Sequence, residues 1–275
     1  MPKKNLSSSG QTGPLSVGNV VSASLRIYRD HLKSYFGLAL VASLWLFVPI
    51  YGWAKYSAIL GLISRLAFGE VRETPETVSD ARREVNPRMW SFFAAGILTV
   101  LIYFGVSLVG GIAIAIVTGG AGAIFGQNSP NVAVLLVVAV IAFFIIYIRI
   151  ISRLLIVELP LAIENNIGAS SAIARSWELT KGSVGRIQWI VFVGILVSLP
   201  VTIVVQILSG IVESVLRAVL GAESGIFYLV YSILFVLLSF ASGALVTPFW
   251  QAMKAIIYYD LRSRKEGLGL QMRDR

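Results

Sequence analysis

The sequence predicts an all-α protein that is embedded in a membrane as a helix bundle of about six spans, with amphipathic helices on its cytoplasmic side. Three observations predict this fold. Of the 275 residues, 56% are hydrophobic and 13% are charged, whereas charged residues make up about 25% of a typical soluble domain. The sixty consecutive residues 89–148 carry no formal charge. The Lys and Arg residues are concentrated between the apolar stretches, as the positive-inside rule expects of cytoplasmic loops.

The distribution of the basic residues also predicts an orientation. Twenty-one of the 23 Lys and Arg residues can be placed on one side of the membrane, and only Lys55 and Arg217 stand apart. A net charge of +9 would suggest nucleic acid as the partner of a soluble protein. Basic connections beside apolar spans favour membrane orientation instead, so we expect no nucleic acid partner. Both termini are predicted to be cytoplasmic, in a bacterial inner membrane or in an internal membrane such as the thylakoid.

The N-terminal region is predicted to contain a tail followed by an amphipathic helix. Residues 1–14 are polar and rich in Gly and Ser, which is typical of a disordered segment and here predicts a cytoplasmic tail. In residues 16–33 the apolar side chains recur at helical spacing, with Ser16 as a predicted N-cap. Arg26, Arg29 and Lys33 lie away from the apolar stripe. Such a helix fits the membrane interface and a packing site on the protein's own cytoplasmic loops equally well.

The first apolar region, residues 35–68, is too long for one ordinary span and somewhat short for two. Pro49 and Gly52 divide it in the middle. We predict a tight hairpin of two short spans, about 35–50 and 53–68, because this arrangement keeps the following basic residues inside and lets Lys55 reach outward. A shallow re-entrant hairpin remains an alternative.

Four longer spans are predicted after the hairpin, and together with it they form one membrane domain over residues 15–258. Residues 119–131 and 210–225 are predicted to connect these spans on the outside. The four spans cover about 89–117, 132–148, 187–208 and 226–250.

The cytoplasmic connections have helix signals of their own. The sequence Thr74-Pro75-Glu76 predicts a helix start, since it supplies a capping hydroxyl, a proline and an acid in the order that a first turn favours. Residues 168–181 predict a second amphipathic helix with Ile173 and Trp177 on its apolar side. Residues 259–275 are predicted to form a basic cytoplasmic tail.

The sequence contains few residues suited to catalysis. His31 is the only histidine and there is no cysteine. The nucleophile elbow, the zinc-protease helix motif and the P-loop are absent. Gly120, Gly122 and Gly126 resemble a dinucleotide fingerprint, but the third glycine comes one place late and the segment lies between membrane spans. We therefore expect no enzyme activity, no metal and no cofactor.

Charged residues at the ends of the spans are the candidates for binding, because a charge within a membrane is costly. Arg149 and Arg153 share a helix face, and Arg153 reaches Glu158 only if the helix bends before Pro160. A structural ion pair, a lipid headgroup site and a transport gate are the alternatives for this group. The candidates for lipid or partner binding are Arg26, Arg29, Lys33, Arg149, Arg153, Glu158, Arg175, Trp177, Arg262, Arg264 and Lys265.

Three segments resemble one protein family, in order along nearly the whole chain. The segments are LSVG with LRIYR near the start, AIARSWELTKG from Ala172, and YYDLRSRKEG from Tyr258. They resemble bacterial membrane proteins related to the membrane domain of glycerophosphoryl diester phosphodiesterases. The resemblance implies a stand-alone membrane module concerned with lipids or with holding another protein at the membrane. It does not imply the hydrolytic activity, which in fused members of the family belongs to a separate barrel domain.

Two functions are compatible with these features. The first is a non-catalytic multi-pass membrane module that binds anionic lipid or a partner protein at its basic cytoplasmic face. Its partners would be membrane lipids, together with a membrane protein or a second copy of the chain. The alternative is a small transporter or lipid-moving permease, which would need a cavity at mid-membrane.

Overall fold

The computed structural model describes residues 15–221 and 224–267, and in these residues the chain is helical, with no strand. The order of the elements follows the sequence prediction, but several helices are longer than predicted. A 3₁₀ turn at Asn86–Arg88 joins two of them. The α-helices are α1 (Val17–Asp30), α2 (Leu32–Trp45), α3 (Tyr51–Val71), α4 (Val78–Val85), α5 (Met89–Phe125), α6 (Pro130–Leu154), α7 (Glu158–Ile163), α8 (Ala169–Thr180), α9 (Val184–Leu220) and α10 (Gly225–Glu266).

Side-chain caps fix several of the helix starts. The Ser16 side chain accepts a hydrogen bond from the backbone N–H of Asn19, which confirms the predicted N-cap of α1. The predicted start at Thr74 is wrong. Thr77 caps α4 by accepting from the N–H of Asp80, whereas the Glu76 carboxylate pairs with Arg65 at 2.7 Å and holds the preceding residues outside the helix.

Four helical stretches are long and apolar enough to cross a membrane, and they contain α5, α6, α9 and α10. With 37 residues in α5 and 42 in α10, these helices extend about 55 and 63 Å at about 1.5 Å per residue. The hydrocarbon core of a bilayer is only about 30 Å thick, so part of each helix lies beyond it. The structure is therefore an all-α, multi-pass membrane fold, but it does not confirm six spans.

The two predicted outside connections are mostly helical. α5 continues through Gly119 and Gly120 to Phe125, and α9 continues through Gly210 to Leu220. α5 ends instead at Gly126 and α9 at Gly221, each with a positive φ that favours glycine at a helix end. At the other end, α10 includes the first part of the predicted tail up to Glu266. The predicted tail at residues 1–14 lies outside the described residues, as do residues 268–275.

Burial divides the molecule into two regions. The packed end consists of α1, α4, α7, α8, residues 59–71, the first residues of α5 and α9, and residues 248–266, and its core contains Leu62, Ile156, Leu159 and Tyr258. The apolar shaft consists of residues 97–125, 130–150, 195–220 and 225–247, whose large apolar side chains are mostly exposed. So extensive an exposed apolar surface is typical of a protein region solvated by lipid.

The amphipathic helix α1 belongs to the packed end. It packs against α10 and α9, and Val20, Val21, Ser24 and Ile27 are buried there. The Leu25 side chain, by contrast, is exposed. These contacts therefore favour packing of α1 on the protein itself over a position at the membrane interface.

Helices α2 and α3 form a tight hairpin that breaks at Pro49, as the sequence predicted. Ile50 has φ 62° and ψ −69°, and the N–H of Tyr51 donates to the carbonyl of Pro49 at 2.7 Å, so the turn is a strained γ-turn. Both helices pack along α10. The Phe47 ring lies 5.2 Å from the ring of Phe240.

Candidate functional site

The structure separates the predicted binding residues into three groups. One group forms ion pairs or hydrogen bonds within the packed end. A second group is on α1 and α2, where Arg29 and Lys33 are exposed. The third group lines a groove between α5, α6 and α8. The engaged residues are Glu158, Arg175, Arg262, Arg264 and Lys265, the residues on α1 and α2 are Arg26, Arg29 and Lys33, and those that line the groove are Arg153 and Trp177. Arg149 is exposed on α6, one turn before Arg153, and does not line the groove.

Arg175 is the centre of an ionic cluster. Its guanidinium contacts the carboxylates of Glu164 at 3.1 Å, of Glu178 at 3.6 Å and of Glu266. The Tyr258 hydroxyl also donates to Glu164. Burial, and secondarily this hydrogen bond, raises the pKa of Tyr258 above its ordinary value, so the hydroxyl keeps its proton and remains a donor. The cluster ties α8 and the loop after α7 to the end of α10.

Asp260 forms a second joint at the packed end, and its side chain is 6% exposed. It accepts a hydrogen bond from the backbone N–H of Leu15 at 3.1 Å and pairs with Arg186 at 2.7 Å and Arg264 at 2.9 Å. The opening segment of the chain is thereby joined to its closing segment. Arg175 and Glu266 join the middle segment to the same closing segment, so the segments that resembled one family meet at these contacts.

Glu158 has a different partner from the one considered on sequence. It pairs with Lys254 at 3.2 Å and accepts a hydrogen bond from Ser64 at 2.9 Å, and no pair with Arg153 is formed. The Ser64 hydroxyl also lies 3.2 Å from Gln251. The sequence did not indicate that Ser64, Gln251 and Lys254 belong to this site. Gln251 and Lys254 are polar residues in the otherwise apolar stretch after Pro248, and that contrast was a signal for these two.

The groove is the candidate site that remains open. It has a volume of about 560 Å³ and lies between α5, α6 and α8. Both apolar and polar side chains line it. We call the apolar lining residues Ile102, Leu154, Ile173 and Ala174 the floor, and the lining residues Arg153, Ser170, Trp177, Glu178 and Lys181 the rim.

Arg153 is held in position at the rim by α8. One guanidinium nitrogen, Nη1, donates to the carbonyl of Trp177 at 3.0 Å, and the guanidinium lies 4.8 Å from the centre of the Trp177 ring. The Ser176 hydroxyl donates to the Arg153 carbonyl at 2.7 Å and fixes the α6 backbone there. A guanidinium has five N–H donors, and described residues accept from one of them. The other donors can face a ligand, and because the guanidinium is already oriented, little rotamer entropy is lost on binding.

The groove lies where the charged and uncharged parts of the chain meet. Arg149 and Arg153 are the first charges after residues 89–148, and the floor residue Ile102 belongs to the apolar shaft. Lys181 adds a second positive charge to the rim, whereas the Glu178 carboxylate is drawn toward Arg175. This arrangement suits a ligand that has an anionic group next to an apolar chain.

Among residues 15–221 and 224–267, no group of three or more His, Asp or Glu side chains is arranged to hold a metal ion. A sequence model of one family, described as "Membrane domain of glycerophosphoryl diester phosphodiesterase", matches residues 122–271, which is more than half of the chain. The match includes the α6 and α8 walls of the groove, Arg175 and Asp260. No curated protein and no solved structure matches the chain.

Proposed function

Because this chain belongs to the family of the membrane domain of glycerophosphoryl diester phosphodiesterase, we propose that it is a non-catalytic membrane module that binds an anionic phospholipid at its packed end. The family match is to the membrane domain and not to the catalytic domain of the phosphodiesterase. The membrane location rests on that match and on the long apolar helices. The choice of ligand rests on the groove.

The observation that carries this proposal is the position of Arg153 in the groove. Its guanidinium is fixed against Trp177 at the border of the apolar shaft. Guanidinium groups bind phosphate through paired hydrogen bonds. The floor of the groove offers an apolar surface that continues into the exposed residues of α5, where an acyl chain can lie. One ligand with both properties is a phospholipid of the surrounding bilayer.

The charge distribution supports a cytoplasmic orientation of the packed end. Twenty-one of the 23 Lys and Arg residues can be placed on that side, as the positive-inside rule expects of a cytoplasmic face. The cytoplasmic leaflet carries most of the anionic lipid, and each Lys or Arg near such a surface contributes about 1 kcal/mol of attraction. A cytoplasmic orientation of the packed end therefore places the groove beside the leaflet that contains the proposed anionic ligand.

The variant R153Q/K181Q tests the site. It removes both positive charges from the rim of the groove while leaving the ionic cluster around Arg175 intact. Because two charges at about 1 kcal/mol each are lost, we expect roughly 30-fold weaker retention of phosphatidylglycerol and unchanged retention of phosphatidylcholine. Native mass spectrometry of the protein purified in mild detergent measures both lipids and any protein partner that is retained with it.

R29Q/K33Q is the matched control, because it removes the same amount of charge from exposed positions on the same face. We expect it to retain phosphatidylglycerol as the wild type does. Equal losses in both variants would mean that the basic face attracts lipid diffusely, and the groove would not be the site. Unchanged retention in R153Q/K181Q, with a protein partner lost instead, would assign the groove to that partner.

A further inference from the structure

We infer that the α2–α3 hairpin is re-entrant: it enters the bilayer from the side of the packed end, turns within the bilayer and exposes its tip to lipid tails. We define the hairpin tip as residues 46–53. This inference goes beyond the proposed function and does not depend on it, because neither the groove nor its ligand is involved. The two apolar segments before residue 70 would then contribute no complete crossing, and the four long helices would supply all of the passes.

The length of α2 is the first argument. α2 contains 14 residues, so it is about 21 Å long. A bilayer core of about 30 Å requires about 20 residues for a helix that crosses it. α3 is longer, with 21 residues, but α2 has no further helical residues with which to complete a crossing, since a tight turn at 46–50 leads directly into α3.

The position of the tip against α10 is the second argument. Phe47 packs on Phe240 with ring centres 5.2 Å apart, and Ser64 lies 3.2 Å from Gln251, so α3 and α10 run in the same direction. α10 begins at Gly225, and Phe240 is 15 residues further along. This part of α10 is uncharged and extends about 22 Å beyond the tip. Lipid that covers this exposed apolar stretch therefore surrounds the hairpin tip as well.

The tip has the composition and the hydrogen bonding of a lipid-embedded turn. The Phe47 and Ile50 side chains are 64% and 58% exposed, and Val48, Tyr51 and Trp53 are also exposed. The Trp53 indole N–H donates to the Leu46 carbonyl at 3.2 Å, and the N–H of Gly52 donates to the Val48 carbonyl at 3.0 Å. Non-helical backbone at membrane depth needs such internal partners, because lipid tails offer none.

Lys55 is the charged residue nearest to the tip. It precedes Ser64 by nine residues on α3, so its Cα lies about 14 Å beyond the hydrogen bond that joins Ser64 to the packed end. The structure places the Lys55 ammonium over the Tyr51 ring at the tip, 5.8 Å from the ring centre. This cation–π contact partly compensates the charge beside the hairpin tip.

Single-cysteine labelling tests the inference, and the absence of cysteine from the natural sequence gives a clean background. The test position is Val48→Cys in the full chain, in intact cells and in inverted membrane vesicles. Asn128→Cys, between α5 and α6, reports the far side, and Ser79→Cys, on α4, reports the side of the packed end. We expect a membrane-impermeant maleimide to label each reporter from one side and to label Val48→Cys from neither side.

Two measurements make a negative labelling result informative. After unfolding in SDS, Val48→Cys should react as fast as the reporters, which shows that this cysteine is itself reactive. A bimane fluorophore at this cysteine should be quenched more by nitroxides on lipid tails than by nitroxides on headgroups. Labelling from the far side at the rate of Asn128→Cys would show a complete crossing and overturn the inference. Labelling from the packed-end side at the rate of Ser79→Cys would overturn it too, because the tip would then lie in water.

Discussion

Arg153 on α6 and Arg175 on α8 have the same side chain, but they have different partners. Arg175 contacts three carboxylates within the protein. Arg153 contacts a carbonyl and an aromatic ring and borders a groove. The sequence identified both as candidates because each is a basic residue near a span. It did not separate them, because the acids that engage Arg175 are spread over residues 164–266 and only the fold brings them together.

R175Q is expected to destabilise the fold. The Arg175 side chain is 23% exposed, and its removal leaves Glu164 without its ion-pair partner, whereas Glu266 keeps its pair with Arg262. Leaving buried charged groups unsatisfied costs about 1–3 kcal/mol or more. R29Q is the control, because the Arg29 side chain is 79% exposed and surface changes of this kind stay within about 0.5 kcal/mol. Thermal unfolding of both variants in detergent measures the difference, and equal stability would show that the cluster contributes little.

Helices α3 and α5 approach closely because Gly61 has no side chain. A Cβ atom at this position would overlap the buried ring of Phe92. The sequence contains 25 glycines, and nothing in the local pattern distinguishes Gly61 from a glycine such as Gly37, where a Cβ would meet no atom within 4 Å. Helix contacts of this kind depend on which faces meet, so they could not be predicted, whereas the existence of α1, α5, α8 and α10 followed from periodicity and length.

G61A is expected to lower the free energy of unfolding by about 1–3 kcal/mol, because the Phe92 ring has to move within a packed core. G37A is expected to raise it by about 0.5–1 kcal/mol, since alanine restricts the unfolded chain and fits an open helical position. Chemical or thermal unfolding of the two variants gives the comparison. If the Phe92 contact is the cause, G61A/F92L will recover part of the loss that G61A shows. A double variant that is additive would point to another cause.

The molecule as a whole combines a packed end that carries nearly all of the charge with an apolar shaft that carries almost none. Composition and charge asymmetry were sufficient to predict this membrane architecture. The number of passes was harder to predict, because Pro49 and the apolar residues around it are compatible with both a full and a re-entrant hairpin. The difference depends on where the hairpin tip lies along α10, which is a contact between residues almost two hundred positions apart.

Orientation is testable for the whole molecule with the two reporter cysteines alone. We expect Ser79→Cys to be labelled only from the cytoplasm and Asn128→Cys only from outside, because the positive-inside rule retains the basic connections in the cytoplasm. An impermeant maleimide on intact cells, followed by permeabilisation, distinguishes the two positions. Labelling of Ser79→Cys in intact cells would reverse the orientation, and the anionic leaflet would then no longer adjoin the groove.

The dependence of the packed end on α10 has a consequence for biosynthesis. Lys254 pairs with Glu158, and Gln251 lies within hydrogen-bond distance of Ser64. Glu266 pairs with Arg175, and Tyr258 donates to Glu164 in the same cluster. Asp260 accepts a hydrogen bond from the N–H of Leu15. All of these partners are supplied by α10, which is synthesised after α1–α9. Glu158, Ser64 and Leu15 therefore lack these partners until α10 has been made. A chain cut short before Gln251 retains its apolar spans but loses the contacts that join them at the packed end.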